Sequence, residues 1–152
     1  MALTEAGCYS RYSIQLRGSD ASELALQRAR TGRYRERAFR QLPDVLRHRY
    51  FSQTTPGEWT VAPEVHRRVA SWTRINAVRP DEWGAEVEAD VIFCRNLFIY
   101  FDAPTVQRVV AAFAERMRRP GYLCIAAAES LLRLSTPFSL EDVGGAFVYV
   151  RK

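Results

Sequence analysis

The chain has 152 residues, 47% apolar and 26% charged, with a formal net charge of +5. That length suits one domain able to bury roughly 68 to 70% of its unfolded surface, and no apolar run approaches the ~20 residues that a helical membrane span needs. Residues 1–20 mix Glu5, Arg11, Arg17 and Asp20 without an apolar block, so neither a signal peptide nor membrane insertion is expected and the cytoplasm is the expected location.

Taken in chain order, Tyr12–Arg17 predicts a short strand and Gly18-Ser19-Asp20 a turn. Asp20 with Glu23 makes a capping pair for a helix that carries Leu24, Leu26 and Ala29 and stops at Gly32. Of the 22 basic residues all but Lys152 are arginine, and eight of them (Arg28, Arg30, Arg33, Arg35, Arg37, Arg40, Arg47, Arg49) stand between positions 28 and 49 against only Glu36 and Asp44. The segment therefore carries a positive potential suited to an acidic partner, or is a solvated face. It lacks interleaved stacking aromatics, so nucleic acid is not the expected partner.

A second helix is predicted from Pro43 to Tyr50, and Thr54-Thr55-Pro56-Gly57 before Trp59-Thr60-Val61 predicts a small antiparallel element within 51–63. Then come a strand over Val69–Ile75, a loop over Pro80–Gly84 and a buried strand over Asp90–Cys94. The helix after Asp102 has Pro104 in its first turn and Val106, Val109, Val110, Phe113 and Met117 on one face, with Arg116, Arg118 and Arg119 complementing its carboxyl end. Pro120-Gly121 ends it before a strand over Tyr122–Ala127, and a last strand follows Gly144-Gly145 over Ala146–Val150. Strands alternating with helices and closing in a strand pair predict an α/β fold: a mostly parallel sheet with an antiparallel edge.

The carboxyl end of a parallel strand opens on the ligand crevice of such a sheet. At the end of the 90–94 strand stand Cys94, Arg95 and Asn96, and Arg95 brings planar donors matched to a carboxylate. Asp20, at the end of an early strand, is placed to accept ribose hydroxyls of a nucleoside cofactor or to cap the helix behind it. Asn76 follows another strand and reads equally as a turn residue; Tyr100, between Phe98, Ile99 and Phe101, reads equally as a core aromatic. Cys8, Cys94 and Cys124 are too far apart for a zinc knuckle, so no metal is expected. His48 and His66 join no catalytic triad.

Cys94-Arg95-Asn96 followed by Ile99-Tyr100-Phe101-Asp102 resembles the CRNxxIYF signature of the CheR-type chemoreceptor methyltransferases. Gly18–Ser22 is similar to that family's GTDID segment, and Thr31–Tyr34, Arg49–Phe51, Ile75-Asn76-Ala77, Pro120–Leu123, Glu129-Ser130-Leu131 and Phe147–Tyr149 are similar to further landmarks. The resemblance implies one Rossmann-like methyltransferase domain over 1–152, with a receptor-facing β-insert at 51–63. It implies S-adenosylmethionine as cofactor, held by Asp20, Asn76, Ala77, Cys94, Arg95 and Asn96, with Arg95 and Tyr100 as catalytic residues. The activity implied is O-methylation of glutamate side chains in the cytoplasmic region of chemoreceptors. The family's helical domain and most of its first glycine-rich loop have no counterpart, because Ala6-Gly7-Cys8 runs straight into Tyr9-Ser10, and Ala126-Ala127-Ala128 replaces a Gly-His-Ser. The alternative reading is therefore a catalytically inactive module that binds receptor or another acidic protein. The family's first strand lies centrally, between the second and fourth; residues 1–8 are expected to stay mostly irregular in its stead.

Overall fold

The computed structural model describes residues 1–84 and 88–152. The chain divides into two compact units, Met1–Ile75 and Asn76–Lys152.

In the first unit two short helices, α1 (Ala2–Glu5) and α2 (Cys8–Arg11), precede β1 (Leu16–Asp20) and α3 (Glu23–Thr31). Then follow β2 (Arg33–Arg35), a 3₁₀ turn over Glu36–Phe39, α4 (Asp44–Tyr50), β3 (Phe51–Thr55), β4 (Glu58–Val61), α5 (Pro63–His66) and β5 (Val69–Arg74). β1 and β5 pair in parallel, with α3 packed on them through the fully buried Leu26. β2, β4 and β3 form an antiparallel three-stranded sheet, so the antiparallel element expected within 51–63 gains a third strand at Arg33–Arg35. Its core is aromatic: Phe39 meets Phe51 and Trp59 edge-on at centroid distances of 4.9 and 5.6 Å, the offset that the ring quadrupole favours. Arg47 roofs it, its guanidinium 4.0 Å from the Trp59 centroid and 2.7 Å from the Glu36 carboxylate, which also accepts the Trp59 indole N–H at 2.8 Å.

Three expectations for this unit change. The strand begins later, at Leu16, and runs through Gly18 to Asp20, because Gly18 lies opposite Trp72 and a Cβ there would stand 2.2 Å from the indole ring; the glycine serves a close approach within the sheet, not a turn. The helix cap is Ser22, whose hydroxyl accepts from Ala25 N–H, while Asp20 Oδ1 accepts from Ser22 N–H at 2.8 Å. The first residues are helical, not irregular: Met1 carbonyl accepts from Thr4 and Glu5 N–H, and Glu5 is tied to Arg49 at 2.8 Å and to the Tyr50 hydroxyl. Gly32 ends α3 in the left-handed conformation at φ 62°, as the pattern predicted.

The second unit holds a 3₁₀ turn over Pro80–Glu82, β6 (Ala89–Cys94), a 3₁₀ turn over Phe98–Tyr100, α6 (Ala103–Arg116), β7 (Met117–Ile125), β8 (Ser139–Val143) and β9 (Ala146–Arg151). Its sheet has the order β6-β7-β9-β8, with β6 and β7 parallel and the other pairs antiparallel, which is the expected parallel sheet with an antiparallel edge. Asp102 caps α6 through Thr105 N–H at 3.0 Å, and Val106, Val109, Val110 and Phe113 bury the predicted face. Trp83 stacks on Phe113 at 5.2 Å and donates its indole N–H to the Asn76 carbonyl at 2.9 Å. Arg116 spans the carbonyls of Pro80, Trp83 and Gly84 at 2.9 to 3.2 Å. The helix stops at Arg116, so Arg118 and Arg119 belong to β7, where Met117 is buried and pairs with Ala89. β6 is not buried on both faces: Val91 and Phe93, which share one face, are exposed, Phe93 at 74%, and among the described residues β6 borders only β7.

Candidate active site

In the second unit two adjacent parallel strands, β6 and β7, end together, Cys94 paired with Ile125. The segments that follow them line a cleft of about 660 Å³ whose walls include Phe98, Ile99, Phe101, Val106, Glu129 and Leu132. This is the position, outside strand carboxyl ends, where α/β sheets bind ligands.

Cys94 is buried, and burial, with a smaller contribution from the charge of Glu129, pushes its thiol up to about 12; it is a packed neutral residue. Arg95 is exposed and makes no hydrogen bond or ion pair among the described residues, which leaves its planar donors free. Asn96 has φ 60°, a left-handed conformation that Asn tolerates better than most residues. Tyr100 is 77% exposed, so it is a surface phenol and not a core aromatic. Asn76 is exposed, its Oδ1 accepting from Val78 N–H at 3.2 Å, and Ala77 is half-buried beside it.

Asp20 belongs to the first unit, at the carboxyl end of β1. One carboxylate oxygen is used locally by Ser22 and the other makes no bond among the described residues, so an acceptor remains for a ribose hydroxyl. Within the second unit, the Asn76 carboxamide and the polar backbone at the end of β6 are group types that a nucleoside cofactor can use.

Sequence reasoning passed over Glu129 as a site residue. Its carboxylate accepts from Asn96 and Ala126 N–H on Oε2 at 3.0 and 2.9 Å and from Phe98 N–H on Oε1 at 2.8 Å. Burial alone would raise its carboxyl, but the N–H groups of Ala126, Asn96, Phe98 and Leu97 outweigh that and hold it below the usual carboxylate range. The available signal was an acid placed shortly after a strand that runs beside the signature strand.

A parallel sheet opening at its strand ends on an unpaired arginine and a cleft defines a Rossmann-like α/β domain. Residues 1–145 match the family model described as "CheR methyltransferase, SAM binding domain". The chain belongs to that family, and S-adenosylmethionine is the cofactor of its domain. It is similar to the "Probable biofilm formation methyltransferase WspC" of Pseudomonas aeruginosa, 36% identical over 99% of this chain and 35% of the relative. It is also similar to "Chemotaxis protein methyltransferase 2" of Vibrio cholerae, 31% identical over 84% of the chain and 44% of the relative. A third relative, "Chemotaxis protein methyltransferase Cher2" of Pseudomonas putida, is 29% identical over 93% of the chain and 51% of its own length. The chain thus spans about a third to a half of the relatives it matches. No helix among the described residues is long and apolar enough to cross a membrane.

Proposed function

We propose that the whole chain, 1–152, is one cytoplasmic methyltransferase domain that O-methylates glutamate side chains of a chemoreceptor cytoplasmic region. The observation that carries the reading is the arrangement after β6: an exposed, unpaired Arg95 at the mouth of a strand end, on a backbone held by Glu129. The cofactor supplies an electrophilic methyl group on a sulfonium sulfur. A glutamate carboxylate is already an anion near neutral pH, so this chain's residues need not remove a proton. Their task is alignment and exclusion of water. Arg95 pairs with the acceptor carboxylate and Tyr100 positions it, while Asn76, Ala77, Cys94, Arg95 and Asn96 hold the cofactor on the second unit. On the first unit Asp20, at the carboxyl end of β1, is the acid proposed for ribose hydroxyls. The acidic partner is suited to the cleft of the first unit lined by Arg37, Arg40 and Arg47, where Arg37 and Arg40 have no ion-pair partner among the described residues.

One observation favours a second reading, a module that binds receptor without methyl transfer: Gly7, at φ 62°, opens directly into α2, so no extended glycine-rich loop cradles the methionine end of the cofactor there. The two separate in one experiment. Transfer of labelled methyl groups to a chemoreceptor fragment, abolished in a folded Arg95→Ala variant, supports the enzyme; fragment binding without label supports the module. Calorimetric titration with S-adenosylhomocysteine tests Asp20: affinity unchanged in Asp20→Ala removes that residue from the site.

A further inference from the structure

Three consecutive peptide N–H groups, those of Asn96, Leu97 and Phe98, turn toward the Glu129 carboxylate, and Ala126 N–H joins them. A carboxylate offers about four acceptor positions, and here backbone donors take three of them at 2.8 to 3.0 Å. The geometry follows from two residues: Asn96 is left-handed at φ 60° and Leu97 right-handed at φ −107°, ψ −45°. A left-right pair of this kind turns successive N–H groups into a concavity for an anion. The chain fills that nest with its own side chain, reaching across from the segment after β7. The path of the backbone from Arg95 to Phe98, and hence the direction in which Arg95 leaves β6, depends on an acid 33 residues away.

We propose that Glu129 is the positioning residue of the crevice, touching neither cofactor nor acceptor and acting through the backbone of Asn96 to aim Arg95. This rests on the methyl-transfer reading for its consequence, but the latch itself is tested without it. In Glu129→Gln the side chain keeps its volume but sets an amide NH₂ against N–H donors. Amide hydrogen exchange at Asn96, Leu97, Phe98 and Ala126 should rise at least tenfold while Leu123, in the sheet core, stays protected. Unchanged exchange at those four amides overturns the proposal. In Glu129→Ala the vacated nest should take up added formate, which restores slow exchange; exchange that formate leaves unaltered overturns it too. Where wild-type chain methylates a receptor fragment, kcat should fall about a hundredfold in Glu129→Ala, the scale of an ångström's misplacement, in a chain that circular dichroism shows still folded at the assay temperature. Formate should recover that rate and not the rate of Arg95→Ala. A kcat equal to wild type refutes the positioning role. If wild-type chain transfers no methyl group, the methyl-transfer reading fails and the amide exchange alone decides for or against the latch.

Discussion

Replacing Gly18 by alanine adds one methyl group where the sheet has no room. The new Cβ would stand 2.2 and 2.3 Å from two ring carbons of Trp72, whereas ordinary contact begins near 3.4 Å. The indole must retreat by about 1.2 Å, or β1 must part from β5, and overpacking of this size costs about 2 kcal/mol, roughly thirty-fold in a folding equilibrium. The sign is informative, because alanine inside a strand is otherwise better than glycine by about 0.5 to 1 kcal/mol. Urea denaturation of wild type, Gly18→Ala, Trp72→Ala and the double variant closes the cycle. Gly18→Ala should destabilise the wild-type chain yet be neutral or stabilising once Trp72 is alanine, a coupling well above 1 kcal/mol. A Gly18→Ala variant as stable as wild type, or destabilised equally in both backgrounds, would refute the argument that the ring explains the glycine. If Asp20, two residues further along β1, holds the cofactor ribose as proposed, the same variant should also weaken S-adenosylhomocysteine binding.

Three more outcomes follow from single contacts. The Glu5 carboxyl is held low, first by the Tyr50 hydroxyl and then by Arg49, so its contribution is complete at neutral pH and disappears as pH falls through that lowered value; acid titration of near-ultraviolet circular dichroism should lose this limb in Glu5→Gln. With its thiol pushed up to about 12, Cys94 should escape iodoacetamide at pH 8 until the chain unfolds, and mass spectrometry showing rapid native labelling would contradict its burial. Arg47→Lys should lower stability by about 1 to 2 kcal/mol in thermal melts despite the retained charge, because an ammonium has no planar face to lie 4.0 Å from the Trp59 centroid while one N–H reaches Glu36 at 2.7 Å.

Elements whose signals are local were readable in the sequence. The Asp102 cap, the Pro104 first turn and the apolar face of Val106, Val109, Val110 and Phe113 specify the start and the buried side of α6 but not its end, and Gly32 marks the end of α3. What escaped depends on distant partners. Nothing near Gly18 announces Trp72, so a strand glycine looks like a turn; β2, only three residues long, exists because β4 offers it an edge. Arg118 and Arg119 look like helix-end charges until Met117 is seen paired with Ala89. At the site the contrast is the same: the strand-end position of Arg95 and Asn96 follows from an apolar run that stops, but the bond from Asn96 N–H to Glu129 spans 33 residues and leaves no periodic trace. Tyr100, set among apolar neighbours, gives no local sign of being exposed.

The bracket formed by Trp83 and Arg116 bears on where inherited variation can act. Asn76 is anchored through its carbonyl to an indole that lies on Phe113, and Arg116 ties residues 80–84 to the same end of α6. The opposite end of that helix begins at Asp102, directly after Tyr100 and Phe101. One rod of fourteen residues therefore carries at each end a segment assigned to the site under the proposed function, and its tilt is shared by both. Changes at Phe113 or Arg116, remote in sequence from either segment, become natural sites for second-site suppressors: a library selected for recovery of a crippled Asn76 variant would be expected to return substitutions there.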